Sequence, residues 1–200
     1  MAKKENKTSK EDIKLNAFKL MAKQGIKNIS MRQIAEVCGV SKPVLYYYFK
    51  DKDDLLLQMI KDRLEKIIKA LKDGMEKDLT FADLLQTLLS SHYILRTDFR
   101  ETSSFLLNLS VYVKGNHILE SKLIKMRKQA NKSIYEILNL QHKKGRLSKE
   151  NIDTGYYLVL AVMSLLTMCG VDKSIKINQR ILSDMTDAIL KGISFKGEDK

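Results

Sequence analysis

Ser30, Arg32, Ser41, Lys42, Tyr46, Tyr47 and Lys52 crowd into one short stretch, Ile29 to Leu55, and each carries a hydroxyl, guanidinium or ammonium that can bind a phosphate oxygen. Grouped in this way, they point to contact with a polyanion rather than to bond-making chemistry. Their spacing divides them among short helices. Ser30 followed by Gln33 has the capping-box pattern and opens a helix with Ile34 and Val37 on its inner face. Cys38-Gly39-Val40 reads as a turn, with Gly39 taking the positive φ that a sharp bend needs. Ser41 caps the next helix. Pro43 falls in its first turn, where a missing N–H costs nothing, and Val44, Leu45 and Phe49 are expected to face inward. Lys42 then lies at the N-terminal end of that helix, with Tyr46 and Tyr47 on its outer face and Lys52 opening a further helix. This is the layout of a helix-turn-helix, whose second helix offers side chains to base edges and phosphates in a DNA major groove. Ser41 and the adjoining helix N-terminus can also donate to phosphate.

Other uses of these residues are weaker. Tyr48 neighbours Phe49 and is expected to pack, and Cys38 reads as a small buried turn residue. Catalysis has no constellation to support it, so no catalytic residue, metal or cofactor is expected and the chain is not read as an enzyme. His92, His117 and His142 are scattered, Cys38 has no histidine near it in sequence, and no Gly-rich phosphate loop or paired metal motif occurs. A membrane-surface role is disfavoured because the basic face is interrupted by packing residues between Ser30 and Phe49.

The elements that must hold this stretch are helices. One proline and nine glycines in 200 residues leave few places for strand turns, and 44% apolar residues suffice for a real core. The expected fold class is all-α. Ser9 with Asp12 resembles a helix start, and Ile13, Ala17, Leu20 and Met21 follow at helical spacing until a left-handed stop at Gly25. Asp51 caps a bridging helix over about 51–73 with a break at Gly74. Further helices are expected over about 80–98, 101–113, 117–141, 149–171 and 178–195. The net charge of +12 is concentrated early: residues 1–50 hold 11 Lys and Arg against 4 Asp and Glu. A basic first quarter suits a polyanionic partner, because each neutralised phosphate releases counterions.

Ala17-Phe18, Gly25, Ile34-Ala35, Gly39-Val40-Ser41-Lys42, Leu45-Tyr46-Tyr47-Tyr48-Phe49 and Lys52-Asp53-Asp54-Leu55 together closely resemble the tetracycline-repressor (TetR) family of transcription regulators. The resemblance covers about residues 10–58. It implies a helix-turn-helix DNA-binding domain over 1–55 and a ligand-binding and dimerisation domain over 75–200. Two positions depart from the family pattern. Pro43 stands where a small residue is more common, which removes one N–H but stiffens the turn. Met31 replaces a common threonine, leaving Ser30 or Arg32 to make the phosphate contact.

The C-terminal part carries no diagnostic motif. Leu88, Tyr93, Phe105, Asn108, Leu109, Tyr112 and Met126 are candidates to line a small-molecule pocket, with His92 and His117 as further polar candidates. The same side chains would serve equally as plain core. Tyr156 to Val171 is apolar nearly all round, and a helix of that kind must be covered on every side. Together with Ile181, Met185, Ala188 and Ile189 it can form a four-helix homodimer interface presenting two recognition helices to a palindromic operator. At 16 residues the run falls short of the ~20 that span a bilayer. With only two cysteines and no apolar leader, the expected location is the cytoplasm. The expected function is therefore a repressor that a small-molecule effector releases from double-stranded DNA. The alternative is an effector-independent adaptor on the same fold, such as a nucleoid or cell-division factor.

Overall fold

The computed structural model describes residues 8–77, 79–90, 99–172 and 174–196, and the described residues contain helices but no strand. In chain order the helices are α1 (Lys10–Gln24), α2 (Met31–Cys38), α3 (Lys42–Tyr48), α4 (Lys52–Glu76), α5 (Phe81–Leu89), α6 (Phe99–Tyr112), α7 (His117–Lys143), α8 (Asn151–Cys169) and α9 (Gln179–Gly192). A 3₁₀ turn, Ile26–Asn28, links α1 to α2.

Local chemistry accounts for the first boundaries. Ser9 and Asp12 form a capping box on α1, and Ser30 and Gln33 form one on α2. Gly39 closes α2 at φ 63° and ψ 28°, the left-handed region that favours glycine. Gly25 also has positive φ, at 82°, but its ψ of 138° is extended, so it leads into the 3₁₀ turn instead of forming a left-handed cap. Gly74 corrects a second expectation. It lies inside α4, where a Cβ would come within 2.8 Å of Leu84 Cδ2 and 3.2 Å of Leu79 Cδ1. Glycine is needed there for close approach of α5, and the helix runs through it.

Two apolar cores flank α4. Leu55, Leu56 and Met59 from its first half join Ile13, Phe18, Met21, Ile34, Leu45 and Phe49. Ile67 and Leu71 from its second half join Phe81, Leu84, Ile137, Leu138, Val159 and Leu182. One rigid helix thus carries both cores. α6 contributes Phe105 to the N-terminal core, and its ring lies 4.7 Å from that of Phe18. α6, well inside the expected C-terminal domain, therefore packs back onto α1.

α8 is a 19-residue apolar helix, longer than the expected run and long enough by length and composition to cross a membrane. Ile152, Gly155, Val159 and Leu166 turn inward, while Tyr157, Leu165, Met168 and Val171 are exposed. On α9, Ile189 corrects the expected exposed face. It is 2% exposed in this chain's own core, whereas Ala188 is exposed and Ile181 and Met185 are half-buried.

Between α1 and α4, the buried ammonium of Lys14 contacts Asp62 and Glu11. Burial pulls its pKa down, but the hydrogen bonds to Asp62 and Glu11 outweigh this and raise it above the ordinary 10.5. A raised folded pKa stabilises the fold fully below the unfolded value, and that stability is lost as pH rises through the folded value. The urea midpoint of wild type should fall, relative to that of Lys14→Met, only above about pH 10. A constant difference from neutral to alkaline pH would contradict the pairing.

Candidate nucleic-acid interface

α3 owes its start to Ser41, whose hydroxyl accepts from the Val44 N–H at 3.4 Å, and to Pro43 in the first turn. Only Leu45 of its seven residues is fully buried, and it plugs the helix onto the N-terminal core. The opposite face centres on Pro43 and Tyr47, flanked by Lys42 and Tyr46. Tyr47 is 83% exposed and Tyr46 52%, so both phenols project from the scaffold. Tyr48 is half-buried, with its ring 6.2 Å from Phe49 and edge-on to Tyr47 at 5.1 Å. Val44 is 41% exposed, against the inward position expected for it, and Val37 is 53% exposed. On a helix this short, one buried anchor fixes the rotation, and Val44 lies too far around from Leu45 to reach the core. An exposed valine here offers methyl groups suited to a thymine methyl.

Ser30 and Arg32 lie exposed at the start of α2. The Ser30 hydroxyl donates to Gln33 Oε1 at 2.9 Å and accepts from the Gln33 N–H at 3.3 Å. Arg32 Nε donates to Glu36 Oε1 at 2.7 Å. Lys52 has intramolecular partners that its place in the sequence did not suggest. Its ammonium donates to the carbonyls of Ile26 at 2.9 Å and Ile29 at 2.7 Å, and lies 4.9 Å from the centroid of the Tyr112 ring. Burial lowers its pKa, opposed by Asp53. In this structure the lysine satisfies carbonyls at the end of the 3₁₀ turn, where the sequence suggested a phosphate contact. Lys52→Met should lower the melting temperature while leaving the salt slope of DNA binding unchanged; losing one phosphate contact would reduce that slope by about 1.

Tyr112 and Asn116 belong to the same junction. The Tyr112 hydroxyl donates to Asp53 Oδ1 at 2.9 Å, and the Asn116 amide donates to Asp53 Oδ2 at 2.8 Å. Burial and the Asp53 carboxylate push the Tyr112 phenol up to about 12. Asn108 donates to the Ala22 carbonyl at 3.4 Å. The end of α6 is thereby tied to α1, the 3₁₀ turn and the start of α4.

Of the residues expected to line a pocket, Leu88 and Leu109 do face a cavity of about 620 Å³ among α4, α5, α6, α7 and α8. Phe105, Asn108 and Tyr112 do not; they serve the junction with the N-terminal core. Met126 lies in a separate outer groove between α4 and α7, beside Lys61, Lys122 and Lys125. Tyr93 and His92 lie outside the described residues, and His117 is exposed beside Glu120 at 3.9 Å. Arg63, which the apolar periodicity of α4 gave no reason to single out, lines the cavity, and burial lowers its pKa to about 10.

A short capped helix held by one core residue, with its lysine and tyrosine face outward and a glycine turn before it, defines a helix-turn-helix protein on an all-helical scaffold. The family model for bacterial regulatory proteins, tetR family, matches residues 16–59. HTH-type transcriptional regulators of Staphylococcus aureus strains USA300 and NCTC 8325 are 39% identical over 59 residues, which is 30% of this chain. The matched segment spans about a third, 32%, of those relatives' length. Over the whole fold, the fatty acid degradation regulator FadR from Bacillus halodurans superposes with a TM-score of 0.75 at 18% identity, covering 98% of this chain and all of that one. FadR from Bacillus subtilis, solved in complex with stearoyl-CoA, superposes at 0.73 with 20% identity, covering 92% of this chain and 100% of its own. The sequence match is thus to the N-terminal segment of the tetR family, residues 16–59, and the likeness over the rest of the chain is one of fold.

Proposed function

We propose that the protein is a sequence-specific transcriptional regulator acting as a repressor, which a small-molecule effector releases from a palindromic operator. The observation that carries this reading is the outward face of α3, with Lys42, Tyr46 and Tyr47 exposed around Pro43. Ser30, Arg32 and Ser41 flank it at two helix starts, where hydroxyls and a guanidinium suit phosphate. Lys52 is left out of the DNA-contacting set.

The exposed apolar stripe of α8, Tyr157, Leu165 and Met168, with Ala188 of α9, supports a twofold dimer that sets two recognition helices on one side of a duplex. Release follows from the cavity. α4, α6 and α7 wall it and also carry the Asp53, Tyr112 and Asn116 contacts that hold the N-terminal domain. An effector that prefers a cavity shape with α4 and α6 displaced would turn α3 away from its groove. DNA must then weaken effector binding by the same factor. The cavity favours this reading over an effector-independent adaptor.

The test is fluorescence anisotropy on duplex DNA from upstream of the protein's own gene and on a scrambled duplex, across a salt series, with light scattering on the free protein. Tighter binding to the upstream duplex that persists at physiological salt, by a dimer, is the expected result. Equal, steeply salt-dependent binding to both duplexes, or a monomer at micromolar concentration, would overturn the reading.

A further inference from the structure

The walls of the α4–α8 cavity separate one class of small molecule from others. Among the residues that line it are Ile67, Leu107, Ile124, Ile134 and Met163, and no aromatic side chain is among the described residues of the wall. Flat aromatic compounds bind best where rings can stack on them, whereas flexible methylene chains need only aliphatic surface. Several polar groups in the wall already have partners. The hydroxyls of Ser110, Ser164 and Thr167 donate to carbonyls of their own helices at 2.7, 2.9 and 3.0 Å. Asn131 donates to the Tyr156 hydroxyl at 2.9 Å. The charged groups are Arg63, set into the aliphatic wall, with Arg127 and Glu120 on α7. Glu120 is partly exposed and faces His117. Among the described residues, the wall therefore carries two cations, Arg63 and Arg127, against one carboxylate, Glu120. Arg63 remains protonated at neutral pH, since its lowered pKa still lies near 10.

We infer that this cavity takes a long, unbranched aliphatic chain bearing an anionic head group, with the chain along the α4, α6 and α7 wall and the head toward Arg63. The inference deepens the effector reading of the same cavity and names the chemistry of its ligand. A free long-chain carboxylate and a long-chain acyl thioester of a phosphorylated carrier share that chemistry.

The test is calorimetric titration of the full-length protein, without DNA, with hexadecanoate, hexadecanoyl-coenzyme A, octanoate, hexadecanol and 2-naphthoate. Binding of at least one of the two long-chain anions is expected at roughly micromolar Kd or tighter. Octanoate should bind at least about a hundredfold more weakly than hexadecanoate, because each buried methylene adds several-fold. Hexadecanol should lose about tenfold or more through the missing charge-assisted contact. Whether the carboxylate, the thioester or both bind identifies the source. Arg63→Met should abolish the preference for hexadecanoate over hexadecanol, and Arg63→Lys should restore part of it. The wild-type comparison of acid with alcohol needs no variant, so a folding defect in Arg63→Met leaves the test intact. Failure of both long-chain anions to bind, equal binding of hexadecanol, or equal binding of 2-naphthoate would overturn the inference. The regulator reading stands or falls separately, on the ligand-free DNA measurement.

Discussion

Lys42→Ala and Tyr47→Ala are each expected to weaken binding to the specific duplex by about 1–3 kcal/mol, roughly ten- to a hundredfold, with the fold intact. Tyr47 is 83% exposed, and Lys42 stands at the exposed start of α3, so neither truncation removes core contacts. Exposed substitutions of this kind cost within about 0.5 kcal/mol of stability. The two side chains should also be separable. If Lys42 meets a phosphate, its loss weakens specific and scrambled DNA alike and lowers the salt slope by about 1. If Tyr47 meets a base edge or the backbone through its hydroxyl, Tyr47→Phe reproduces most of the loss. Anisotropy on both duplexes, beside thermal melts of each variant, reads all of this. Unchanged affinity in both alanine variants would remove α3 as the DNA-contacting element.

Phe105→Ala should be the more damaging change to the fold, with a loss of about 3–5 kcal/mol. The ring is 3% exposed and sits 4.7 Å from Phe18, so its removal opens a cavity in the N-terminal core. It also cuts the main apolar tie between α6 and α1. Leu107→Ala, on the same helix but lining the cavity and only half-buried, should cost much less. Chemical denaturation of both variants makes the comparison. A pocket-lining role for Phe105 predicts the opposite pattern, with ligand affinity lost and stability kept. An unchanged midpoint in Phe105→Ala would show that α6 is not anchored through this ring.

Ser9, Ser30, Ser41, Asp51 and Gly39 act on backbone groups a few positions away, so their spacing was enough to bound the early helices. The outward position of Tyr46 and Tyr47 followed from helical period in the same way. Val37 and Val44 broke the rule that apolar side chains turn inward, because short helices anchored by few residues leave part of their apolar surface at the rim. Lys52 looked like a phosphate ligand because its acceptors, the Ile26 and Ile29 carbonyls, belong to a 3₁₀ turn that no residue near it in the chain announces.

The sequence alone determined the helical class and the helix-turn-helix, because capping, turn chemistry and amphipathic period are short-range and written in consecutive residues. Only the tertiary structure decided that α6 packs on α1, that Asp53 gathers Tyr112 and Asn116, and that Arg63 lines an aliphatic cavity. Each of those depends on which helix faces meet across tens of residues, and helical period specifies that a face is apolar without specifying which other face will cover it.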